Sequence, residues 1–397
     1  MTPSFQHPLV RGPHRHYHFI RELSKRHDIT LLTLSRANIT PEAMSEMQSY
    51  TDNIITFDVN GASQVGRTAS QIPLIGSHVK ESLKLRDGVD KMKKAFLELV
   101  NKNSYDLVLF HGKSLFPVIE DWNELPIVAD FCDATSMRIR SRMQHVALLK
   151  RSLLFFRYMK LRNIEKKLIK KTPHVAFISH RDRKAVTGVN GESTILPIGV
   201  DFEFWQRRTE DYRPNCVIFT GVMDYGPNHD AAMRLIENIL PRLRKRVSDP
   251  GILIVGRNPR PELKRTAEKN PEVTVTGFVD DMRLYLEKAA VFAAPLLWGS
   301  GIQNKVLESM AMAVPVVTNN MVAEGLYIDS YGAPPVYQAE SDEDFAAGLA
   351  HILKNRQERT RLAMESRAFV ENHFNWSQSA RILESMCEKA VHAAVEV

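Results

Sequence analysis

A lysine and a glutamate follow two glycines in a stretch whose residue types suit the binding of an anion. Gly299 and Gly301 lie in a predicted loop, and Lys305 and Glu308 lie about one turn apart on the helix predicted after it. Backbone N–H groups of such a loop and of the first helical turn can point at one bound phosphate. Lys305 would add a positive charge there, and the Glu308 carboxylate could accept hydrogen bonds from sugar or ribose hydroxyls. The sequence therefore predicts a site for a phosphorylated ligand that carries hydroxyl groups.

Two strands and a helix must position these residues. The periodicity predicts a buried strand over 291–296, a helix over 303–313 and a second strand from Pro315. The same alternation of strands and helices runs through the whole chain, which predicts an α/β fold with parallel sheets. Glycines in a strand–loop–helix unit can also serve tight packing, and Lys305 can simply be solvated. The pattern alone leaves both interpretations open.

The stretch as a whole resembles the donor-binding signature of family-4 glycosyltransferases, which are retaining enzymes of the GT-B fold. Their pattern is E-x7-E followed by A-M-A-x-G-x-P-V-V. Glu308 matches the second glutamate and residues 310–317 match the tail. Ser300 stands where the first glutamate is expected. This G-x-G-x-x-x-K-x-L-E form is similar to a sub-branch associated with bacterial exopolysaccharide assembly.

The resemblance implies two Rossmann-like domains that face each other across a cleft. We expect an acceptor domain over residues 1–205, a linker over 206–215 and a donor-binding domain over 216–375, while the final helix, 376–397, crosses back onto the first domain. Such an enzyme would transfer a sugar from a nucleoside-diphosphate sugar to a glycan or lipid-linked acceptor, with retention at the anomeric carbon. It would need no cofactor and no metal ion.

The resemblance also assigns roles to individual residues. The expected donor contacts are Gly12, Arg257, Ser300, Gly301, Ile302, Gln303 and Glu308. His111 ends a predicted strand, at the edge where parallel sheets place ligands, and in this family a histidine there lies beside the reacting sugar. The expected catalytic residues are therefore His111, Lys305 and Glu308.

Other positions depart from the family or leave a choice open. Many family-4 enzymes hold the donor pyrophosphate with an arginine and a lysine, but Val222 and Pro227 stand at those positions. Lys305 and Arg257 are then the candidate counter-charges, and Asn228 is expected to cap the helix 229–247. The aspartates of the D-x-x-D segment at 130–133 could bind a metal, although shaping the acceptor cleft or capping a helix is the favoured interpretation.

Charge is distributed unevenly between the two halves. Residues 1–213 carry 33 Lys/Arg against 23 Asp/Glu, whereas residues 214–397 carry 20 against 23. Over residues 143–171, basic side chains alternate with apolar clusters, as in a helix that meets anionic lipid head groups. A solvated basic helix with its apolar face in the core fits equally well. The chain has no nucleic-acid-binding motif, so nucleic acid is not an expected partner.

The beginning of the chain is unusual for this fold. A helix from about residue 14 and a strand over 29–34 require an earlier strand beside them. Residues 1–8 are too short and too rich in proline to form a buried strand. We therefore expect the first strand of the N-terminal domain to be missing.

The cysteine spacing and the length of the apolar runs indicate where the protein is located. Three well-separated cysteines predict neither a disulfide framework nor a zinc site, and no apolar run is long enough to span a bilayer. We expect a cytoplasmic protein that can attach to the inner face of the cytoplasmic membrane. Two alternatives to a transferase stay open: a non-catalytic scaffold that binds nucleotide or lipid, and a GT-B sugar-nucleotide epimerase.

Overall fold

The computed structural model describes residues 1–9, 14–36, 38–59, 76–144, 146–186, 193–209 and 211–395. Gly12, one of the expected donor contacts, lies outside these residues. Within them the chain forms three parallel sheets, two in the N-terminal half and one in the C-terminal half. The linker expected over 206–215 lies between the two halves, and its bounds stay a prediction.

The N-terminal half alternates short strands with helices. Its six strands are β1 (Thr30–Ser35), β2 (Asn53–Asp58), β3 (Val108–His111), β4 (Ile127–Asp130), β5 (Val175–Phe177) and β6 (Thr194–Ile195). Its helices are α1 (Arg15–Leu23), α2 (Pro41–Ser49), α3 (Gly76–Lys102), α4 (Phe116–Ile119), α5 (Thr135–Met143), α6 (Leu148–Lys171) and α7 (His180–Ala185). Strands β1 and β2 pair with each other, and β3 to β6 form a sheet in sequence order, all parallel.

The first residues lie between these two sheets. On one side, the Thr2 N–H donates to the Leu32 carbonyl (2.9 Å) and the Leu34 N–H donates to the Thr2 carbonyl (3.3 Å). On the other side, the His111 N–H donates to the Met1 carbonyl (3.0 Å). Residues 1–5 thus pair with both β1 and β3 without forming a regular strand. The position that we expected to be empty is partly filled, because even two residues satisfy some backbone groups of both neighbouring strands.

The C-terminal half contains a single six-stranded sheet. Its strands are β7 (Cys216–Thr220), β8 (Gly251–Val255), β9 (Val273–Val275), β10 (Val291–Ala294), β11 (Val316–Thr318) and β12 (Tyr337–Gln338). They are parallel and lie in the order β12-β11-β10-β7-β8-β9. The connections leave β7 and β10 in opposite directions, so a crevice opens beyond the carboxyl ends of these two strands.

Helices alternate with these strands and continue beyond the last one. They are α8 (Gly226–Arg234), α9 (Leu240–Leu243), α10 (Pro261–Glu268), α11 (Arg283–Leu286), α12 (Asn304–Ala311), α13 (Asn320–Gly325), α14 (Asp342–Lys354), α15 (Arg356–His373) and α16 (Trp376–Val395). A π-helical segment, Leu235–Ile239, joins α8 to α9. The fold therefore has the predicted α/β class, with β7 and β10 completely buried at the centre of the sheet.

Helix α8 begins earlier than predicted, and this changes the role of Asn228. The helix starts at Gly226, with Pro227 in its first turn, where the missing proline N–H leaves no unsatisfied donor. Asn228 lies inside that turn, so the prediction that it caps the helix is wrong. Its side chain instead donates to the Val222 carbonyl (3.1 Å).

The last helix, α16, crosses back to the N-terminal half, as predicted. Its Trp376 ring stacks on His18 of α1 at 4.3 Å with an interplanar angle of 11°. Arg26 and Glu384 form an ion pair across the same contact (2.6 Å). Gly199 permits this approach, since a Cβ there would lie 2.4 Å from the Trp376 nitrogen. Within the described ranges, no helix combines the length and apolar character that a membrane span requires.

Candidate functional site

The loop after β10 meets the N-terminal half through three successive residues. Arg181 donates to the Gly299 carbonyl (3.3 Å), the Ser300 hydroxyl donates to Asp133 (2.7 Å), and the Gly301 N–H donates to Asp182 (3.3 Å). Asp133 follows β4, and the other two partners belong to α7. The structure thus brings the predicted anion-binding loop against the carboxyl ends of β4 and β5.

The loop has a fixed shape. Gly301 adopts φ +68°, a left-handed conformation that a side chain would strain. The Gln303 side chain donates to the Ser300 carbonyl (3.3 Å), and Ile302 is buried. Because the Gly301 N–H already donates to Asp182, it is not free to bind a phosphate in this arrangement. The N–H groups left for an anion are those at the start of α12.

Lys305 lies in the first turn of α12, as the sequence predicted. Its ammonium group donates to the Asn228 side-chain oxygen and lies 5.0 Å from the centroid of the Phe219 ring. No carboxylate oxygen among the described residues lies within the 4 Å of an ion pair. Burial lowers the pKa of Lys305 to about 7, and the nearby Glu308 only partly opposes this shift.

Glu308 lies one turn further along the same helix. Burial raises the pKa of its carboxyl group to about 7, against the opposing effect of Lys305. Both side chains are therefore poised between their charged and neutral forms. A bound diphosphate would favour the ammonium form of Lys305, because an opposite charge in a poorly solvated site lowers the energy of the cation.

Arg257 lies at the neighbouring corner of the crevice, after β8. The loops that follow β7 and β8 touch closely: a Cβ on Gly256 would lie 1.7 Å from the Gly221 carbonyl oxygen. The Met223 N–H donates to the Arg257 carbonyl (2.9 Å). Arg257 is partly exposed next to the loop 221–225, and its place in the donor site stays a prediction.

His111, at the end of β3, is buried and bonded to Asp130. Its Nδ1 atom lies 3.1 Å from a carboxylate oxygen of Asp130. Burial lowers the pKa of His111, and Asp130 only partly compensates. The ring is therefore neutral at pH 7. An ionised carboxylate can only accept, so Nδ1 carries the proton and Nε2 remains an acceptor.

Asp130 is neutralised by Arg15, a residue that the sequence analysis did not single out. The guanidinium of Arg15 binds both carboxylate oxygens (2.8 and 3.3 Å) and also donates to the Leu196 and Pro197 carbonyls. Burial alone would raise the pKa of Asp130, but Arg15 and His111 outweigh it and hold this pKa well below its usual range. The only sequence feature that could have indicated this ion pair was Asp130 itself, an aspartate at the end of a strongly apolar strand.

A metal ion does not fit the D-x-x-D segment. Ligand atoms of His16, Asp130 and Cys132 lie within 4.8 Å of one another. However, Arg15 already occupies both oxygens of Asp130, and a cation there would be repelled by the guanidinium. Burial also raises the pKa of Cys132, so its thiol stays protonated and binds metals poorly. Shaping the acceptor cleft or capping a helix stays the favoured interpretation of this segment.

Two further residues of the cleft were missed by the sequence analysis. Asp182 accepts hydrogen bonds from the N–H groups of Ala134 (2.7 Å) and Gly301, and it is completely buried. Lys113 is buried beneath the same segment and donates to the carbonyls of Phe131 and Asp133. Their partners lie 18 to 119 residues away in the sequence, so no local pattern could identify them.

Comparisons with known proteins find a family match within the C-terminal half. A model of the family "Glycosyl transferases group 1" matches residues 214–355. Among curated proteins, a phosphatidyl-myo-inositol mannosyltransferase from Mycolicibacterium smegmatis is 27% identical over 223 residues, which are 54% of this chain. That match covers 56% of the relative, so the chain spans about half the length of the curated protein it matches.

Solved structures extend the likeness to the whole chain. HepE from Anabaena, crystallised in complex with UDP and glucose, has a TM-score of 0.64 at 11% identity and covers 98% of this chain and 100% of its own. A sucrose-phosphate synthase from Thermosynechococcus elongatus has a TM-score of 0.68 at 15% identity, with 96% and 94% covered. At such low identity these likenesses show the fold. Residues 214–355 thus match the group 1 glycosyl transferase family, and the whole chain has the GT-B fold.

Proposed function

We propose that the chain is a retaining glycosyltransferase that moves a sugar from a nucleoside-diphosphate sugar to a glycan or lipid-linked acceptor in cell-surface glycan synthesis. One observation carries this proposal: the loop that leads into α12, the helix of Lys305 and Glu308, meets the strand ends of the N-terminal half through the hydrogen bond from Ser300 to Asp133. The wall formed by α12 suits a diphosphate and hydroxyl groups. The wall formed by the N-terminal half offers the partly exposed carboxylate of Asp133 as an acceptor for a sugar hydroxyl.

The chemistry would break the bond between the anomeric carbon and the diphosphate oxygen. An acceptor oxygen forms the new bond to that carbon on the same face, and its proton passes to the departing diphosphate. Lys305 and the N–H groups at the start of α12 would stabilise the negative charge that develops on the leaving group. The neutral His111, with Nε2 as an acceptor, would hold a hydroxyl group near the reacting carbon.

The related proteins suggest which ligands to test first. HepE was crystallised with UDP and with UDP-glucose, so UDP-glucose is a reasonable first donor. The curated relative is named for mannosyl transfer to phosphatidyl-myo-inositol, which makes GDP-mannose the second donor and supports a lipid as acceptor. The assignment to exopolysaccharide assembly rests on the sequence form around Ser300 and is part of the proposal.

A surface on α6 supports an acceptor at the membrane. Its N-terminal half exposes five large apolar side chains, Leu148, Leu153, Phe155, Phe156 and Met159, of which three are more than 70% exposed. Four basic residues lie among them and are exposed: Lys150, Arg151, Arg157 and Lys160. This mixture of exposed apolar and basic residues is typical of a helix that enters the head-group region of an anionic bilayer. We propose that residues 148–160 hold the enzyme at the membrane that carries its acceptor.

The test is release of nucleoside diphosphate from UDP-glucose and GDP-mannose, with and without a membrane extract. A transferase releases the diphosphate and incorporates labelled sugar into lipid or glycan only when the extract is present. An epimerase would change the sugar nucleotide without an acceptor. Binding without turnover under every condition would favour a non-catalytic scaffold and overturn the proposal.

A further inference from the structure

We infer that Asp133 is a specificity-determining residue that binds hydroxyl groups of the transferred sugar, from the wall opposite Lys305 and Glu308. The inference deepens the proposed function and rests on it. Ser300 stands on the donor loop where the family pattern has a glutamate, so the loop itself brings no carboxylate to that place. A carboxylate of the N-terminal half lies next to Ser300 instead: Asp133 accepts a hydrogen bond from the Ser300 hydroxyl (2.7 Å).

The carboxylate of Asp133 is oriented and still accessible. One oxygen accepts from the Ser300 hydroxyl and lies 3.2 Å from Arg138, while the other accepts from the Thr135 hydroxyl (3.1 Å). About a quarter of the side-chain surface, 24%, stays exposed. A carboxylate has about four acceptor positions, so this group has room for a further donor such as a sugar hydroxyl.

Nearby positive charge keeps Asp133 ionised. Lys113 is buried below it and donates to the Asp133 carbonyl (2.5 Å) and the Thr135 hydroxyl (3.2 Å). Burial alone would raise the pKa of Asp133, but Lys113 and Arg138 outweigh it and lower this pKa. The group is therefore a partly exposed anion that accepts hydrogen bonds and donates none.

The relative position of Asp133 and Ser300 is fixed by a third residue. Asp182 accepts from the N–H of Ala134 and from the N–H of Gly301, the residues that directly follow Asp133 and Ser300. A Cβ on Gly301 would lie 3.4 Å from the Cβ of Asp133, which is van der Waals contact. The two walls are therefore held together at this point by packing as well as by hydrogen bonds.

The charge of Asp133 decides which part of a nucleotide sugar it can face. A diphosphate next to this carboxylate would be repelled, whereas sugar hydroxyls donate to it. The cationic end of the cleft, at Lys305, therefore takes the diphosphate, and the anionic end takes the sugar. This arrangement selects the sugar nucleotide over the free nucleoside diphosphate.

Calorimetric binding of a nucleotide sugar and of its parent diphosphate tests this role. The probes are UDP-glucose and UDP, or GDP-mannose and GDP if the wild type prefers them. We expect Asp133→Asn to weaken the binding of the sugar nucleotide about tenfold or more, the effect of losing hydrogen bonds to a charged group. Its affinity for the free diphosphate should stay within about twofold of the wild type.

Two control variants separate a sugar-binding role of Asp133 from a purely structural role. Asp121→Asn makes the same change at an exposed position of the N-terminal half and should leave both affinities unchanged. Ser300→Ala removes the contact between the walls but keeps the carboxylate, so the preference for the sugar nucleotide should persist. An unchanged or higher affinity of Asp133→Asn for the sugar nucleotide would overturn the inference. Asp133 would then serve only to hold the two walls together when no ligand is bound. A wild type that binds none of the four probes would overturn the proposed function itself.

Discussion

Lys305 donates a hydrogen bond to the uncharged side chain of Asn228, and its ammonium group lies against the ring of Phe219. The Lys305 side chain is only partly exposed, and a poorly solvated ammonium group with no ion-pair partner among the described residues is costly in free energy, which marks Lys305 as a candidate functional residue. Lys305 thus lies at the start of a helix whose N–H groups face the same crevice, with a pKa of about 7 that a bound anion would raise. This relationship underlies the first two predictions.

Removing either charge of α12 should impair the donor site. Lys305→Ala should slow turnover and Glu308→Gln should weaken donor binding, each by about 1 to 3 kcal/mol, the usual effect of losing a charged hydrogen-bond partner. Lys264→Ala, at an exposed position of α10, is the control and should change neither. Steady-state kinetics and calorimetry with UDP-glucose measure both effects. Unchanged nucleotide affinity in both site variants would remove α12 from the site.

Diphosphate binding should be coupled to proton uptake. The pKa of Lys305 is about 7 without ligand, so the side chain is mostly neutral at pH 8. A bound anion raises this pKa, the protein takes up a proton, and affinity should fall as the pH rises above 7. Calorimetry at pH 8, in two buffers with different ionisation enthalpies, detects the uptake. Equal observed enthalpies in the two buffers, or uptake that is undiminished in Lys305→Met, would contradict the assignment; some uptake can remain in that variant because Glu308 also has a pKa of about 7.

His111 should affect turnover more than nucleotide binding. The His111 residue is 3% exposed and bonded to Asp130. The alanine variant should therefore also lose about 1 to 3 kcal/mol of folding stability. His111→Gln preserves much of the volume and a polar group, so it is the better probe. We expect lower kcat with unchanged UDP affinity; a loss of UDP affinity equal to the loss of kcat would mark a structural role.

The buried pair of Arg15 and Asp130 should contribute strongly to stability. Arg15→Met leaves Asp130 as an unpaired buried charge, which costs about 3 to 5 kcal/mol. Adding Asp130→Asn should restore part of the loss, because the second change removes the unpaired charge. Urea unfolding of the two single variants and of the double variant measures these differences. Additive losses in the double variant would show that the two residues do not act as a pair.

Membrane attachment should depend on the N-terminal half of α6. Lys167 and Lys171, which belong to the basic segment 143–171, bind Glu120 and Asn123, so they serve packing rather than a lipid surface. We therefore expect the contacts with anionic lipid from Lys150, Arg151, Arg157 and Lys160, each contributing about 1 kcal/mol near the surface. The protein should sediment with vesicles that contain anionic lipid, and less so as salt shortens the Debye length.

Charge reversal tests which surface is responsible. Changing those four residues to Glu should release the protein from anionic vesicles while UDP binding stays unchanged. The same change at Lys245, Lys264, Lys269 and Lys354, all exposed in the C-terminal half, alters net charge equally and should have a smaller effect. Equal release by both sets, or no sedimentation of the wild type at low salt, would leave α6 a solvated helix.

The sequence alone predicted the alternation of strands and helices, the loop 299–301 after β10, and the shared helix of Lys305 and Glu308. These features are local: strand and helix periods repeat over a few residues, and two residues three apart on one helix share a face wherever that helix lies. The start of α8 was missed by a few residues because Pro227 and Asn228 both favour a helix beginning, and the proline prevailed.

Only the tertiary structure decided which residues face each other across the cleft. Ser300 and Asp133 are 167 residues apart, and Arg15 and Asp130 are 115 apart. Neither pair has a sequence signal, because each depends on how a whole sheet or a whole domain packs against another. The pairing of residues 1–5 between β1 and β3 also depended on that packing. Local chemistry can be predicted from residue types and spacing, whereas a contact between distant segments exists only once the chain has folded.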